Sequence, residues 1–185
     1  MIEFVVLFSV AIILYRFLRF ITTPWLRKLG VYRYYRRFFF IVRFGRLNEI
    51  HLGTSWDFFR ACEVTPRRIL LDVLDGLLDL CDDTERGIFS WDSSFRGYTY
   101  YFKPQTLRRF GFTVRPLNLA ETFLFALGLM EMAILNCISH RRWVIFPFHR
   151  VYIVQFTAKQ LSSQRNALTT LRNTLKNDGC LKRAA

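Results

Sequence analysis

Six residues between positions 96 and 115 are of types that bind a charged ligand: Arg96, Tyr98, Lys103, Arg108, Arg109 and Arg115. They fall in a stretch that reads as strand (Tyr98–Phe102), short helix (Pro104–Phe110) and strand (Phe112–Arg115). Several then project from one edge toward a phosphate or carboxylate, which guanidinium groups grip in a bidentate fork. That edge is a candidate anion-binding site; ordinary surface charge, or pairing with an aspartate-rich helix, accounts for the same residues. The aspartates are Asp72, Asp75, Asp79, Asp82 and Asp83, recurring at helical spacing. They would suit a docking surface or a cation, but no histidine or second carboxylate helix completes a metal site, so a solvated polar face is expected. His51, His140 and His149 are scattered near element ends, and no recognisable motif around them marks a catalytic base. Cys62, Cys81, Cys137 and Cys180 show neither CxxC nor zinc-ligand spacing and read as reduced thiols. GxSxG, Walker, HExxH and GxGxxG patterns are absent. No catalytic residue, metal or cofactor is therefore assigned, and enzymatic activity stays open.

The elements that must position these residues follow from caps and periodicity. Asn48–Leu52 (NEIHL) suits a first strand. Thr65-Pro66 places an N-cap before a proline at the first helical position, and Ile69, Leu70, Val73, Leu74, Leu77, Leu78 and Cys81 keep one face apolar as far as Arg86. Asn118 with Glu121 makes a capping-box pattern for a long helix to Ser139. Trp143–Phe146 and Val151–Phe156, separated by Pro147, suit a hairpin. Thr157 caps a final helix to Asn177, and residues 178–185 form a flexible tail. The expectation is a small mixed α/β (α+β) domain over residues 47–177. The alternative, that Leu119–Ile138 spans a membrane, places Glu131 near the bilayer centre at a cost of roughly 2.5–3.5 kcal/mol and carries Arg141, Arg142 and Arg150 outside. A buried domain helix is preferred.

The chain is basic and apolar at once: net charge +13, 52% hydrophobic and 17% aromatic, which excludes a disordered chain and calls for an anionic partner. Residues 1–46 carry +8 of that charge. They open with Phe4–Tyr15 (FVVLFSVAIILY), extended by Phe17, Leu18, Phe20 and Ile21 around Arg16 and Arg19. Residues 1–22 then reach the about 20 residues a single transmembrane helix needs, since terminal arginines extend their charged heads to the interface. A cleaved signal peptide would have its basic residues before the apolar run and a small-residue cleavage site after it. The basic cluster follows instead, which orients the N-terminus outward and the domain into the cytoplasm.

After Pro24, residues 23–46 mix Trp, Tyr and Phe with Arg27, Lys28, Arg33, Arg36, Arg37, Arg43 and Arg46. A neck lying on anionic lipid is expected, each basic side chain adding about 1 kcal/mol. Equally, Phe38–Phe44 forms a buried strand of the domain, and both can hold together. Nucleic acid is disfavoured, because no RNP, KH or zinc-finger pattern accompanies the stacking aromatics.

The order NEIHL, leucine-rich helix, RGYTYYFKPQTLRRFGFTVRPLN, long helix and VYIVQFTAKQL resembles the YkoP-type domain of bacterial envelope-associated proteins. The likeness covers about Asn48–Leu161 and is carried by Gly97-Tyr98-Thr99 and Arg109-Phe110-Gly111-Phe112. It implies an accessory protein of the bacterial cytoplasmic membrane concerned with the envelope, and transfers no catalytic residue. The leading expectation is an anchored adaptor with anionic lipid and a membrane protein complex as partners. An enzyme acting on a lipid-linked or phosphorylated substrate is the alternative, and membrane-associated nucleic-acid binding comes third.

Overall fold

The computed structural model describes residues 2–44, 47–61, 64–100, 102–127, 133–134, 137–138 and 151–181; the side chains at 2, 4–6, 8, 9, 12, 16, 19, 44, 124, 127 and 178–181 lie outside that set. A long helix, α1 (Ile2–Lys28), leads into the antiparallel strands β1 (Tyr32–Arg36), β2 (Phe39–Phe44) and β3 (Leu47–His51). Helices α2 (Ser55–Arg60) and α3 (Pro66–Glu85) then cross to β4 (Ser94–Thr99), which runs parallel to β3. The chain continues through α4 (Pro104–Arg109), β5 (Thr113–Pro116) and α5 (Leu119–Leu127). Strand β6 (Tyr152–Thr157) inserts between β4 and β5, and α6 (Ala158–Ser163) and α7 (Arg165–Leu181) follow. The sheet is six-stranded and mixed, in the order β1-β2-β3-β4-β6-β5.

Local chemistry sets most boundaries. Thr65 caps α3 by accepting from the Arg68 amide, with Pro66 at the first helical position as expected. Thr54 and Asp57 form a capping box that starts α2, an element the sequence reading left out. Thr157 and Gln160 do the same for α6. The final helix breaks at Gln164 instead of running unbroken, and the two segments bury Leu161 and Leu168 respectively in the same core. Strand β4 begins at Ser94, ahead of the expected Tyr98: Phe95 is fully buried in contact with Phe89 and Phe156, and Gly97 lets Ile50 of β3 approach closely. The alternation of aromatics after Tyr98 suggested a strand, but the chain leaves the sheet after Thr99.

The core lies between α3 and one face of the sheet, built from Phe39, Ile41, Phe95, Val154 and Phe156 against Ile69, Val73, Leu74, Leu77 and Leu80. Gly76 of α3 sits directly on Phe39, where a Cβ would overlap the ring. The five aspartates of α3 do not form the solvated face expected of them. Asp79 pairs with Arg36 at 2.9 Å and Asp83 with Arg33 at 2.6 Å, while the Tyr35 hydroxyl donates to Asp83 at 2.5 Å. Asp75 pairs with Arg172, and Asp82 with Arg165 at 2.6 Å. Asp72 accepts from the Phe38 amide at 3.4 Å and pairs with Arg68 at 3.3 Å. The helical spacing splits these carboxylates into one line beside β1 and the turn into β2 and another beside α7, so they clamp both to α3.

The basic aromatic stretch expected as a neck thus supplies β1 and β2, with Phe38, Phe39, Phe40 and Ile41 buried. Among the described residues no helix is both long and apolar enough to cross a membrane. Of the span expected over 1–22, the side chains at 1, 2, 4–6, 8, 9, 12, 16 and 19 lie outside that set. Also outside it are the expected strand Trp143–Phe146, most of the helix beyond Leu127, Arg46, His140 and His149.

Candidate functional site

Strand alternation gives the sheet a second face whose chemistry differs from the α3 side. The register Tyr32↔Val42, Val42↔Glu49, Glu49↔Arg96, Arg96↔Gln155 and Gln155↔Thr113 draws one row across all six strands. Tyr34, Phe40 and His51 form a shorter row beside it, as do Tyr98, Ile153 and Arg115. Here the polar residues of β3, β4 and β6 converge. One end of this face is overlaid by α1 and the other carries α5.

At the α1 end a groove of about 380 Å3 runs between helix and sheet. Tyr15, Leu18, Thr22 and Leu26, on one side of the helix, form its roof. Tyr32, Phe40, Val42, Glu49 and His51 form its floor. The His51 ring stacks on Phe40 at 5.2 Å and 15°, which holds its Nε2 3.6 Å from Glu49 Oε2. His51 therefore does have an acidic neighbour. The sequence signal was available: Glu49 and His51 are two apart on a strand and so share a face.

The helix is fixed over this groove by contacts at its C-terminal half. Phe20 packs edge-on against Trp56 of α2 at 4.9 Å, and Thr23 is buried. The Arg27 guanidinium lies 4.4 Å over the Tyr34 ring, and the Tyr34 hydroxyl donates to Asp57 at 2.6 Å. Burial, with the Asp57 carboxylate beside it, pushes the Tyr34 hydroxyl well above its ordinary pKa, so it stays a donor. Asp57 also accepts from the Thr54 amide and hydroxyl, which joins α1, β1 and α2 through one carboxylate.

At the α5 end the structure brings together three of the six expected anion-binding residues. Arg115 grips Glu121 with two bonds of 2.7 Å, and Arg96 donates to the same carboxylate at 2.7 Å and to the Tyr98 hydroxyl at 2.9 Å. The anion at this edge is thus supplied by the chain itself, from the first turn of α5, where Glu121 also accepts from the Asn118 amide. Chiefly the Arg115 hydrogen bonds hold the Glu121 carboxyl down to about 2. Arg96 Nε is buried without a partner among the described residues. Lys103, Arg108 and Arg109 are exposed on and beside α4.

Of the expected lipid-binding residues, Arg33 and Arg36 are committed to α3, Arg27 and Lys28 stack on Tyr34 and Trp25, and Arg37 and Arg43 are exposed. Among the described residues no group of three His, Cys, Asp or Glu has an arrangement to hold a metal ion. Comparison of the chain with protein-family models, curated proteins and solved structures finds no match.

Proposed function

We propose that this protein is a membrane-attached accessory subunit, held in the bilayer by α1 and presenting its α/β domain at the cytoplasmic surface. The observation that carries this is the outer side of α1. Leu7, Val10, Ile13, Leu14, Phe17, Leu18 and Ile21 are all exposed, and at 100° per residue they fill an arc of about 140° that no other element covers among the described residues. A bare apolar surface of that extent is unstable in water and matches lipid. Residues 2–19, ahead of the contacts at Phe20 and Thr23, measure about 27 Å as a helix, close to the roughly 30 Å of a hydrocarbon core. Trp25, Arg27 and Lys28 then fall at headgroup level, where aromatic and basic side chains favour anionic lipid.

This placement also explains α2. Phe59 is 62% exposed, and beside it the Arg60 guanidinium lies 5.5 Å over Trp56, the ring that touches Phe20. The short helix therefore offers the same interface a second aromatic and basic contact. The likeness to YkoP-type domains adds the expectation of an envelope-associated complex in a bacterial cytoplasmic membrane, with residue 1 outside. Flotation of the full chain with vesicles of zwitterionic and anionic phospholipid tests the attachment: wild type rises with the vesicles, and Leu14→Asp with Phe17→Asp stays at the bottom. Equal flotation of the two would remove α1 from the account.

A second reading, an enzyme acting on a lipid-linked substrate, is favoured by the Glu49 and His51 pair in a groove beside Arg96. A carboxylate and imidazole can move a proton. Turnover of a lipid-linked substrate abolished by His51→Gln would support it.

A further inference from the structure

We infer that one end of the sheet is a second membrane-contact face, where the exposed apolar arc of α5 rests with α2 on anionic phospholipid. This extends the membrane reading of α1 and rests on it. Strand direction places the parts. β4 runs parallel to β3, β6 antiparallel to β4 and β5 antiparallel to β6, so β3, β4 and β5 all point to the same end. The helix after each strand starts there: α2 after β3, α4 after β4 and α5 after β5. In the order β3-β4-β6-β5, three strand spacings separate the first from the last, about 14 Å. Phe59 of α2 and the first turn of α5 can thus meet one flat surface.

Helix α5 turns its apolar side outward at this end. Leu119 is 91% and Phe123 59% exposed, and with Ala126 they fall within an arc of about 60°. The opposite side of the helix is tied to the sheet, Glu121 by Arg96 and Arg115, and Phe125 by its contact with the Tyr98 ring. The ion cluster therefore sets the rotation of α5. Leucine and phenylalanine on one side of a helix suit the boundary between headgroups and acyl chains.

Charge complementarity selects an anionic surface. Because β1 is antiparallel to β2 and β2 to β3, the turn carrying Arg37 lies at this end, as do Arg60 of α2 and Lys103 before α4, and all three are exposed. The carboxylates described here, Asp57, Asp72 and Glu121, are held in hydrogen bonds by the chain itself. The exposed carboxylates described in the domain, Glu85 and Asp92, lie at the opposite end, between α3 and β4. Each basic side chain close to an anionic leaflet strengthens attachment about fivefold. Continuity with α2, whose Trp56 packs on Phe20 of α1, makes that surface lipid and not an acidic protein.

The test uses the full chain in phosphatidylcholine vesicles, in mixed phosphatidylcholine and phosphatidylglycerol vesicles, and in neutral detergent micelles. Hydroxyl-radical footprinting with mass spectrometry reads solvent access at each side chain. Oxidation of Phe59, Leu119 and Phe123 is expected to fall severalfold from micelles to mixed vesicles, and less in phosphatidylcholine alone. Trp91, exposed at the opposite end, is expected to stay unchanged. Arg60→Glu with Lys103→Glu, at exposed positions that spare the fold, is expected to abolish the protection in mixed vesicles. Equal oxidation of Leu119 and Phe123 in micelles and mixed vesicles would overturn the face. So would protection that is equal in the two vesicle types, that survives the charge reversals, or that grows with protein concentration in micelles, as a contact between copies would. Flotation of the same samples separates the two proposals. Protein that floats with Leu119 and Phe123 fully oxidised keeps attachment through α1 and loses the face. Protection of both residues, with Leu14→Asp and Phe17→Asp together floating like wild type, keeps the face and removes α1.

Discussion

Glu121 shows most clearly how a residue acquires a role that its neighbours in sequence do not announce. Its pairing with Asn118 as a helix cap is local and legible; its grip by Arg96 and Arg115 arises only when β4 and β5 flank β6. Glu121→Gln should therefore cost about 1.5–3 kcal/mol in urea unfolding at pH 7, as expected for bonds to charged partners. The pH dependence has a definite sign. The folded carboxyl titrates near 2 against an ordinary 4.5, so its stabilisation is complete above about pH 4.5 and is lost as pH falls toward 2. Acid unfolding of wild type should show that loss, and the Gln variant should lack its share of it. Cys81 gives a complementary prediction: burial pushes its thiol up to about 11, so maleimide labelling of Cys81 at pH 8 should require unfolding.

The elements read from caps and periodicity, α3, α4, β3, β5, β6 and the start of α5, lie close to where residue types place them. β2 matches the buried strand offered for Phe38–Phe44, but β1 was harder, because Arg33 and Arg36 look like lipid-facing charges until their partners Asp83 and Asp79, some 43 to 50 residues away, are packed against them. The α3 aspartates were misread for the same reason. Asp83→Asn weakens the acceptor of both Arg33 and Tyr35 and should cost about 2 kcal/mol, whereas Asp79→Asn, at a more exposed pair, should cost under about 1 kcal/mol; chemical denaturation distinguishes them. Gly76 reads as a defect in a helix, yet its missing Cβ lets α3 lie on Phe39. Gly76→Ala should destabilise by about 1–3 kcal/mol through overpacking, outweighing the gain of about 1 kcal/mol in helix propensity.

For the whole molecule, α1 divides into a half tied to the domain through Phe20, Thr23 and Arg27 and a half on which Leu7, Val10, Ile13, Leu14 and Phe17 are exposed. The apolar run and the basic cluster were plain in the sequence. The groove was not, since it needs α1 folded back over β1 to β3 and the Glu49 and His51 spacing read on a strand. If α2 shares the interface, Phe59→Ser should weaken vesicle binding severalfold while urea stability stays within about 0.5 kcal/mol, as for other exposed positions. The most direct measurement is an alkaline carbonate wash of membranes containing the full chain, followed by sedimentation and immunodetection. Insertion of α1 predicts that the protein stays in the pellet; its appearance in the supernatant, folded and free of lipid, would contradict the account.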